Sequence, residues 1–464
     1  MVSLIKNKNS LSQLIFSSIA LGVSIFDLCL RSLTKSNLLI NGGFIMRRMI
    51  LLGFPVVVVS FVETEVYGLF SLLLSLVTVV TLFLSYSLVA GFIRYFYEFK
   101  NRVLLFRYTA LSVLVICLIN SGILVAFYEY FPKNLNTPYI AVSVILISLL
   151  LTFSEFVFTY LRLSENFVLF NKANYVTTLA MLGSILILIV LWKITSVSIE
   201  GLIYIYMSLF TVPIILFVYF LRAGITWRQW RLFTARNRNI IKSSIGYSVF
   251  ILPANIGFFI NEAIDKFVIN EFLTVTDVAI YSLVYQFSFF VVFVFFQVSK
   301  VNINPYIIKY HKEIKKIQLF VNEKIKLTML GVLLVYFLLI LFQKIVFSLV
   351  DSDFNIGQSF FNEIFIAAWI SIVTTFFIRD FRIASKTGVI ATIEIFIGIF
   401  NFCCNLYLVP RMQLLGAAYA TLLSYMFRAI TYFIIGSRYR QVQYPIVKII
   451  LIIAVSYVFG GMIL

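Results

Sequence analysis

Twelve long apolar runs, separated by short polar breaks, organise the 464-residue chain. They fall at about 39–61, 69–93, 103–127, 138–161, 174–192, 199–221, 245–268, 278–299, 326–349, 359–379, 389–409 and 414–436. Each is close to the roughly 20 residues a helix needs to cross the hydrocarbon of a bilayer, and none alternates at every second residue as a barrel strand does. Two more apolar segments flank them, 11–30, which carries Asp27 and ends at Arg31, and 446–464. The first either spans or lies along the surface, and the second is barely long enough to span. The pattern predicts an all-α polytopic membrane protein with 12 core transmembrane helices, up to 14 with both flanking segments.

Composition agrees. Hydrophobic residues make up 62% of the chain and charged residues 12%, where a soluble domain has about a quarter charged. That excludes a soluble enzyme, a disulfide-stapled secreted scaffold and a disordered chain. The formal charge of +18 would suggest nucleic acid in a soluble protein. Here the basic residues lie in alternate loops, around Arg94–Arg102, Arg162–Lys172, Arg222–Lys242, Lys309–Lys324, Arg379–Lys386 and Arg438–Arg440. The intervening loops carry Glu63, Glu65, Glu129, Glu200, Glu271, Asp277, Asp351 and Asp353, with few cations. The positive-inside rule makes the first set cytoplasmic, so nucleic acid is not an expected partner. The four cysteines lie in apolar runs and read as small buried hydrophobes, without metal-site spacing.

The 222–244 loop divides the spans six and six, and the halves echo each other. Tyr67-Gly68-Leu69-Phe70-Ser71-Leu72 returns as Val278-Ala279-Ile280-Tyr281-Ser282-Leu283, at an offset of 211 residues. Six spans preserve orientation, so the halves are expected to be parallel repeats about an axis along the membrane normal, with a substrate site between them. The expected organisation is an extra N-terminal segment (1–38), a first six-helix lobe (39–221), a basic linker (222–244), a second lobe (245–437) and an extra C-terminal segment (438–464).

Several stretches resemble the lipid-linked oligosaccharide flippases of bacterial polysaccharide assembly, the O-antigen and capsule type of the multidrug/oligosaccharidyl-lipid/polysaccharide exporter superfamily. They are Glu65 to Leu72 with Ile93-Arg94-Tyr95, then Leu252-Pro253, Asp265-Lys266 and Ile280-Tyr281-Ser282. The last is Lys386-Thr387, Asn401, Asn405, Pro410 and Gly416-Ala417-Ala418-Tyr419-Ala420-Thr421. The resemblance, over about 40–440, implies two pseudo-symmetric lobes around a central cavity that opens alternately to each side. It implies transport of a polyprenyl-diphosphate oligosaccharide across the bacterial cytoplasmic membrane, in a pathway shared with a polymerase and chain-length proteins. No catalytic residue, metal or cofactor is expected.

Charges inside spans cost about 2.5–3.5 kcal/mol each at a helix centre on insertion scales, so they mark candidate sites. Arg47 and Arg48 in the first core span and Arg94 at the end of the second are candidates for the diphosphate, because guanidinium donates paired hydrogen bonds to phosphate. The bland reading is that they snorkel and set topology. Glu262, Asp265 and Lys266 share a helix face, as a gate or ion-coupling group or as a self-paired helix end. Glu155, Glu394 and Arg428 are deeper single charges, read as coupling sites or as partners of opposite charge. Pro55 and Pro253 are candidate hinges. No ATP motif is present, so membrane potential or an H+ or Na+ gradient is the expected drive. A cation-coupled multidrug exporter is the main rival. A membrane glycan polymerase or glycosyltransferase is disfavoured by the short outer loops.

Overall fold

The spacing of Asn401, Asn405 and Thr421 explains the most distinctive part of the architecture. In a computed structural model of the chain, a 50-residue helical element, Thr387–Gly436, folds back on itself at Gln413, the one described non-glycine residue with positive φ (54°). Pro410 lies just before the reversal. Asn405 and Thr421 reach the same carboxylate from the two arms, and Glu394 and Arg428 pair further from the turn. The arms are therefore an antiparallel hairpin, matching the two expected spans 389–409 and 414–436.

The structure describes residues 35–85, 88–96, 102–126, 128–131, 133–164, 167–194, 197–222, 235–289, 318–323, 325–326, 328–334, 336–337, 352–383, 386–439 and 443–463. Among them the helices are α1 (Lys35–Val58), α2 (Thr64–Ser85), α3 (Leu88–Tyr95), α4 (Arg102–Ala126), α5 (Pro138–Leu163), α6 (Phe167–Ile194), α7 (Ile199–Ser208), α8 (Thr211–Arg222) and α9 (Ala235–Phe272). They continue with α10 (275–289), helical stretches within 318–337, α11 (Phe361–Ile383), α12 (Thr387–Gly436) and α13 (Ile446–Ile463). Seven described helices are long and apolar enough to cross a membrane, or eight if α7 and α8 form one bent span. The fold is all-α and polytopic. The segment 11–30 lies outside the described residues.

Three expectations change in detail. The span at 199–221 is bent by 42° between α7 and α8. Pro213 follows the bend and has no N–H to donate to the Leu209 carbonyl there, and the Thr211 hydroxyl bonds the Ser208 carbonyl. Within the expected linker 222–244, residues from Ala235 onward are helical and continuous with α9. Cys403 is exposed on α12 rather than buried.

The 211-residue offset reappears in helix boundaries: α2 starts at Thr64 and α10 at residue 275. A reciprocal cap starts α10, with Thr274 N donating to Asp277 Oδ2 and Asp277 N to Thr274 Oγ1. An aromatic cluster fills the first half near its basic end, with Phe106 against Phe156 (4.9 Å) and Tyr160 (4.5 Å). Phe96 is fully buried there. Leu179, Leu186, Ile187, Val190 and Ile194 of α6 stay exposed, an apolar face suited to lipid rather than water.

α9 joins the halves. Near its basic end Ser248 Oγ accepts the Gly91 N–H of α3 at 3.1 Å. At the acidic end Gly68 of α2 packs so tightly against Val275 that a Cβ on it would lie 2.2 Å from the Val275 carbonyl oxygen. Nearby, Asn134 Nδ2 donates to Asn270 Oδ1 at 3.0 Å. The two halves thus touch near the basic end and near the acidic end of α9.

Candidate functional site

Three helical segments, α9 and the two arms of α12, bring polar side chains into an otherwise apolar interior. α9 and the first arm run parallel, with residues paired at a spacing of 140. Asn401 Nδ2 donates to the Asn261 carbonyl (2.8 Å), and Asn405 Nδ2 donates to Asp265 Oδ1 (2.7 Å). Gly257 and Gly398 permit this closeness, since a Cβ on Gly257 would lie 2.4 Å from the Glu394 carbonyl carbon. Small residues at such crossings allow backbones to meet inside membranes.

Asp265 is the centre of the ladder. Its Oδ2 accepts from Tyr281 OH (2.7 Å) and from Thr421 Oγ1 (2.6 Å). Asn261, Asn401, Asn405, Tyr281 and Thr421 are fully buried and Asp265 is 1% exposed. The carboxylate is thus satisfied by neutral donors, as a buried acid requires. Lys266, its chain neighbour, points elsewhere, with Nζ 5.9 Å from the Tyr285 ring centroid. The remaining groups are rich in oxygen: two hydroxyls and the amides of Asn401 and Asn405. Turning the hydroxyl hydrogens and the Asn405 amide would present oxygens beside the carboxylate, a donor set that suits a proton or a small hard cation.

A second cluster lies on the same helices. Arg428 donates Nε (3.1 Å) and Nη2 (2.7 Å) to Glu394 Oε1, and Tyr432 OH donates to the same oxygen at 2.7 Å. Both side chains are about 5% exposed or less, and the guanidinium also stacks 4.9 Å from Phe258. Two of the deep single charges are therefore each other's partners. Glu262 is half-buried and accepts a long bond from Tyr425 OH (3.4 Å). The expected shared face of Glu262, Asp265 and Lys266 divides into three environments: Tyr425, the Asn ladder and Tyr285.

In the first half the structure separates two adjacent arginines. Arg47 is 2% exposed, donates Nε to Asn174 Oδ1 (2.9 Å) and stacks 3.7 Å from the Phe158 ring. It ties α1 to α5 and α6. Arg48 is 28% exposed and makes a 2.6 Å ion pair with Glu155, which is 47% exposed. Arg94 lies exposed in the last turn of α3, its guanidinium 5.7 Å from the Tyr95 ring. Pro55 lies in the last turn of α1, and Pro253 inside α9, which stays helical past it.

Sequence reasoning took Asp265 but not its ligating neighbours as site residues. Tyr281, Asn401, Asn405 and Thr421 were visible only as parts of the resemblance. The physical signal was available in Asn401 and Asn405, two amides one helical turn apart in an apolar run.

No protein-family model matches the sequence, and no curated protein matches it. Solved structures do match in fold. The lipid II flippase MurJ in an inward closed conformation superposes with a TM-score of 0.66 at 12% identity, covering 92% of each chain. A mutant of the Vibrio cholerae MATE transporter VcmN gives 0.57 at 15% identity, covering 86% of this chain and 96% of that one. An inward-facing multidrug resistance MATE family transporter of the MOP superfamily gives 0.54 at 14%, covering 86% and 94%. At these identities the likeness is one of fold.

Proposed function

We propose that this chain is a lipid flippase of the bacterial cytoplasmic membrane, moving polyprenyl-diphosphate oligosaccharides from the cytoplasmic to the outer leaflet for surface polysaccharide assembly. The observation that carries this reading is the accessible Arg48, well inside α1 and held by a partly exposed ion pair. Were α1 to span the bilayer, as the sequence pattern expects, so accessible a charged pair would need a polar path beside it. A diphosphate is a partner that a guanidinium fork suits. The fold-level likeness to a lipid flippase supports the same reading. Arg47 is a structural clamp, so the headgroup role falls to Arg48, with Arg94 as a candidate nearer the cytoplasmic surface.

Two six-helix lobes on either side of the path would exchange contacts at Gly91 and Gly68 as the cavity opens inward and outward. The prenyl tail stays in lipid. Outward movement of negative charge from a negative cytoplasm is favoured by about 2.3 kcal/mol per charge per 100 mV. Asp265, in its oxygen-rich shell, is the candidate coupling carboxylate should an H+ or Na+ gradient contribute. A polymerase and chain-length proteins are the expected pathway partners.

The second reading is a cation-coupled multidrug exporter, favoured by the MATE likeness and by the same Asp265 shell, which is indifferent to the substrate. The deciding experiment reconstitutes purified protein into liposomes with a labelled polyprenyl-diphosphate oligosaccharide on one leaflet. Protein-dependent appearance of the headgroup on the other leaflet, lost in Arg48→Gln, supports the flippase. Absence of transfer under both ion gradients, with cation-driven efflux of a fluorescent drug, favours the exporter.

A further inference from the structure

The geometry points to Glu155 as a built-in competitor that occupies Arg48 until a diphosphate displaces it. This rests on the flippase reading above and names what decides which headgroup Arg48 accepts. The carboxylate–guanidinium pairs Arg428–Glu394 and Arg48–Glu155 differ in kind. Arg428–Glu394 is sealed, with a tyrosine on the same carboxylate oxygen. Arg48–Glu155 is open to the exterior of the protein on both sides of the bond and uses one Arg48 nitrogen, Nη2. Arg48 Nε is buried and has no hydrogen-bond partner. The pair is thus underused: a partly exposed guanidinium spends one nitrogen on one oxygen of a partly exposed carboxylate.

Arg47 is held back from taking the place of Arg48: its Nε is committed to Asn174 and its face to Phe158, and its Nη2, which has no hydrogen-bond partner, is buried. The charges acting on Glu155 are Arg48 and Arg47 from α1 and Arg162 from its own helix. Arg162 lies seven residues along α5, a rise of about 10 Å. A diphosphate on Arg48 therefore leaves Glu155 beside two phosphate charges with its close cation taken. Like charges at that distance favour taking up a proton. The exchange is an ion-pair swap: phosphate oxygens replace Glu155 on Arg48, and a proton from cytoplasmic water neutralises the released carboxylate. A neutral or zwitterionic headgroup provides no such replacement, so the pair stays closed to it.

The test uses full-length protein in nanodiscs and a dansylated prenyl-diphosphate monosaccharide, whose diphosphate diester keeps its charge near neutral pH. Glu155→Gln is expected to bind about fivefold more tightly than the wild type, the factor of an ion pair of this exposure. Wild-type affinity should rise as pH falls, because protonation removes the competitor, and Glu155→Gln should flatten that slope. Glu155→Asp, which keeps the charge, should keep the slope. Arg48→Gln should lose binding with or without Glu155→Gln. Weaker or unchanged affinity in Glu155→Gln at an unaltered monodisperse elution profile overturns the competitor role, as does loss of the slope in Glu155→Asp. Failure of the wild type itself to bind the probe overturns both this inference and the flippase reading, whereas wild-type binding that ignores Glu155→Gln overturns this inference alone.

Discussion

Gly91 donates its backbone N–H to the side chain of Ser248, joining the two halves of the chain at the basic ends of α3 and α9. A Cβ on Gly91 would lie 2.2 Å from the Ser244 carbonyl oxygen and 2.3 Å from Ser248 Oγ. The contact therefore exists only with glycine. Gly91→Val should wedge this end apart, and maleimide labelling of Ser244→Cys from the basic side should rise. Gly68→Val should do the same at the acidic end, against Val275. Unchanged labelling in folded protein would show that neither contact closes the path.

The Asp265 shell makes a different prediction. Asp265→Ala orphans the Tyr281 hydroxyl, the Thr421 hydroxyl and the Asn405 amide at once. Each unmet buried group costs about 1–3 kcal/mol. Thermal unfolding in detergent should show a loss several times that of Asp265→Asn, which keeps shape and an acceptor. If Asp265 also couples transport to an ion, Asp265→Asn should remove the gradient dependence of flipping while leaving a folded protein.

For Arg428 and Glu394, single and double substitutions should diverge. Arg428→Met leaves a buried carboxylate without its cation, at a cost of about 3–5 kcal/mol. Arg428→Met with Glu394→Met removes both charges and should recover most of that loss. Transport retained in the double variant would mark the pair as structural. Transport lost in a stable double variant would give it a part in the mechanism.

Gln413 offers a stabilising change. Its φ of 54° and ψ of −132° suit glycine and strain a side chain that has a Cβ. Gln413→Gly should raise stability by about 1 kcal/mol, read as a shift in the thermal midpoint. A fall would mean that the Gln413 side chain holds the turn.

The helices were legible because hydrophobic runs of span length have few alternatives in a bilayer. The bend before Pro213 and the helical start at Ala235 were not, because a local break and a polar helix leave the hydrophobic average almost unchanged. Among the charges, depth in a span marked Arg428 and Glu394 as needing partners, and the structure pairs them. Arg47 and Arg48 looked equivalent in sequence. One residue is about 100° around a helix, and that rotation buries one guanidinium against Phe158 and leaves its neighbour accessible. Asp265 was visible as an acid, but its neutral donors come from three helical segments and carry no charge signal.

The Gly257–Gly398 crossing also fixes where α9 can pivot. From Gly257 the helix extends about 14 Å back to Ser248 and about 22 Å forward to Phe272. A rocking motion of ten degrees about that fulcrum would carry Ser248 and Phe272 in opposite directions, by about 2 Å and about 4 Å. One see-saw thus loosens one end of the path as it tightens the other. Pro253 lies between the fulcrum and Ser248, so that side can flex on its own while the other side, which carries Asp265, swings as a stiff rod.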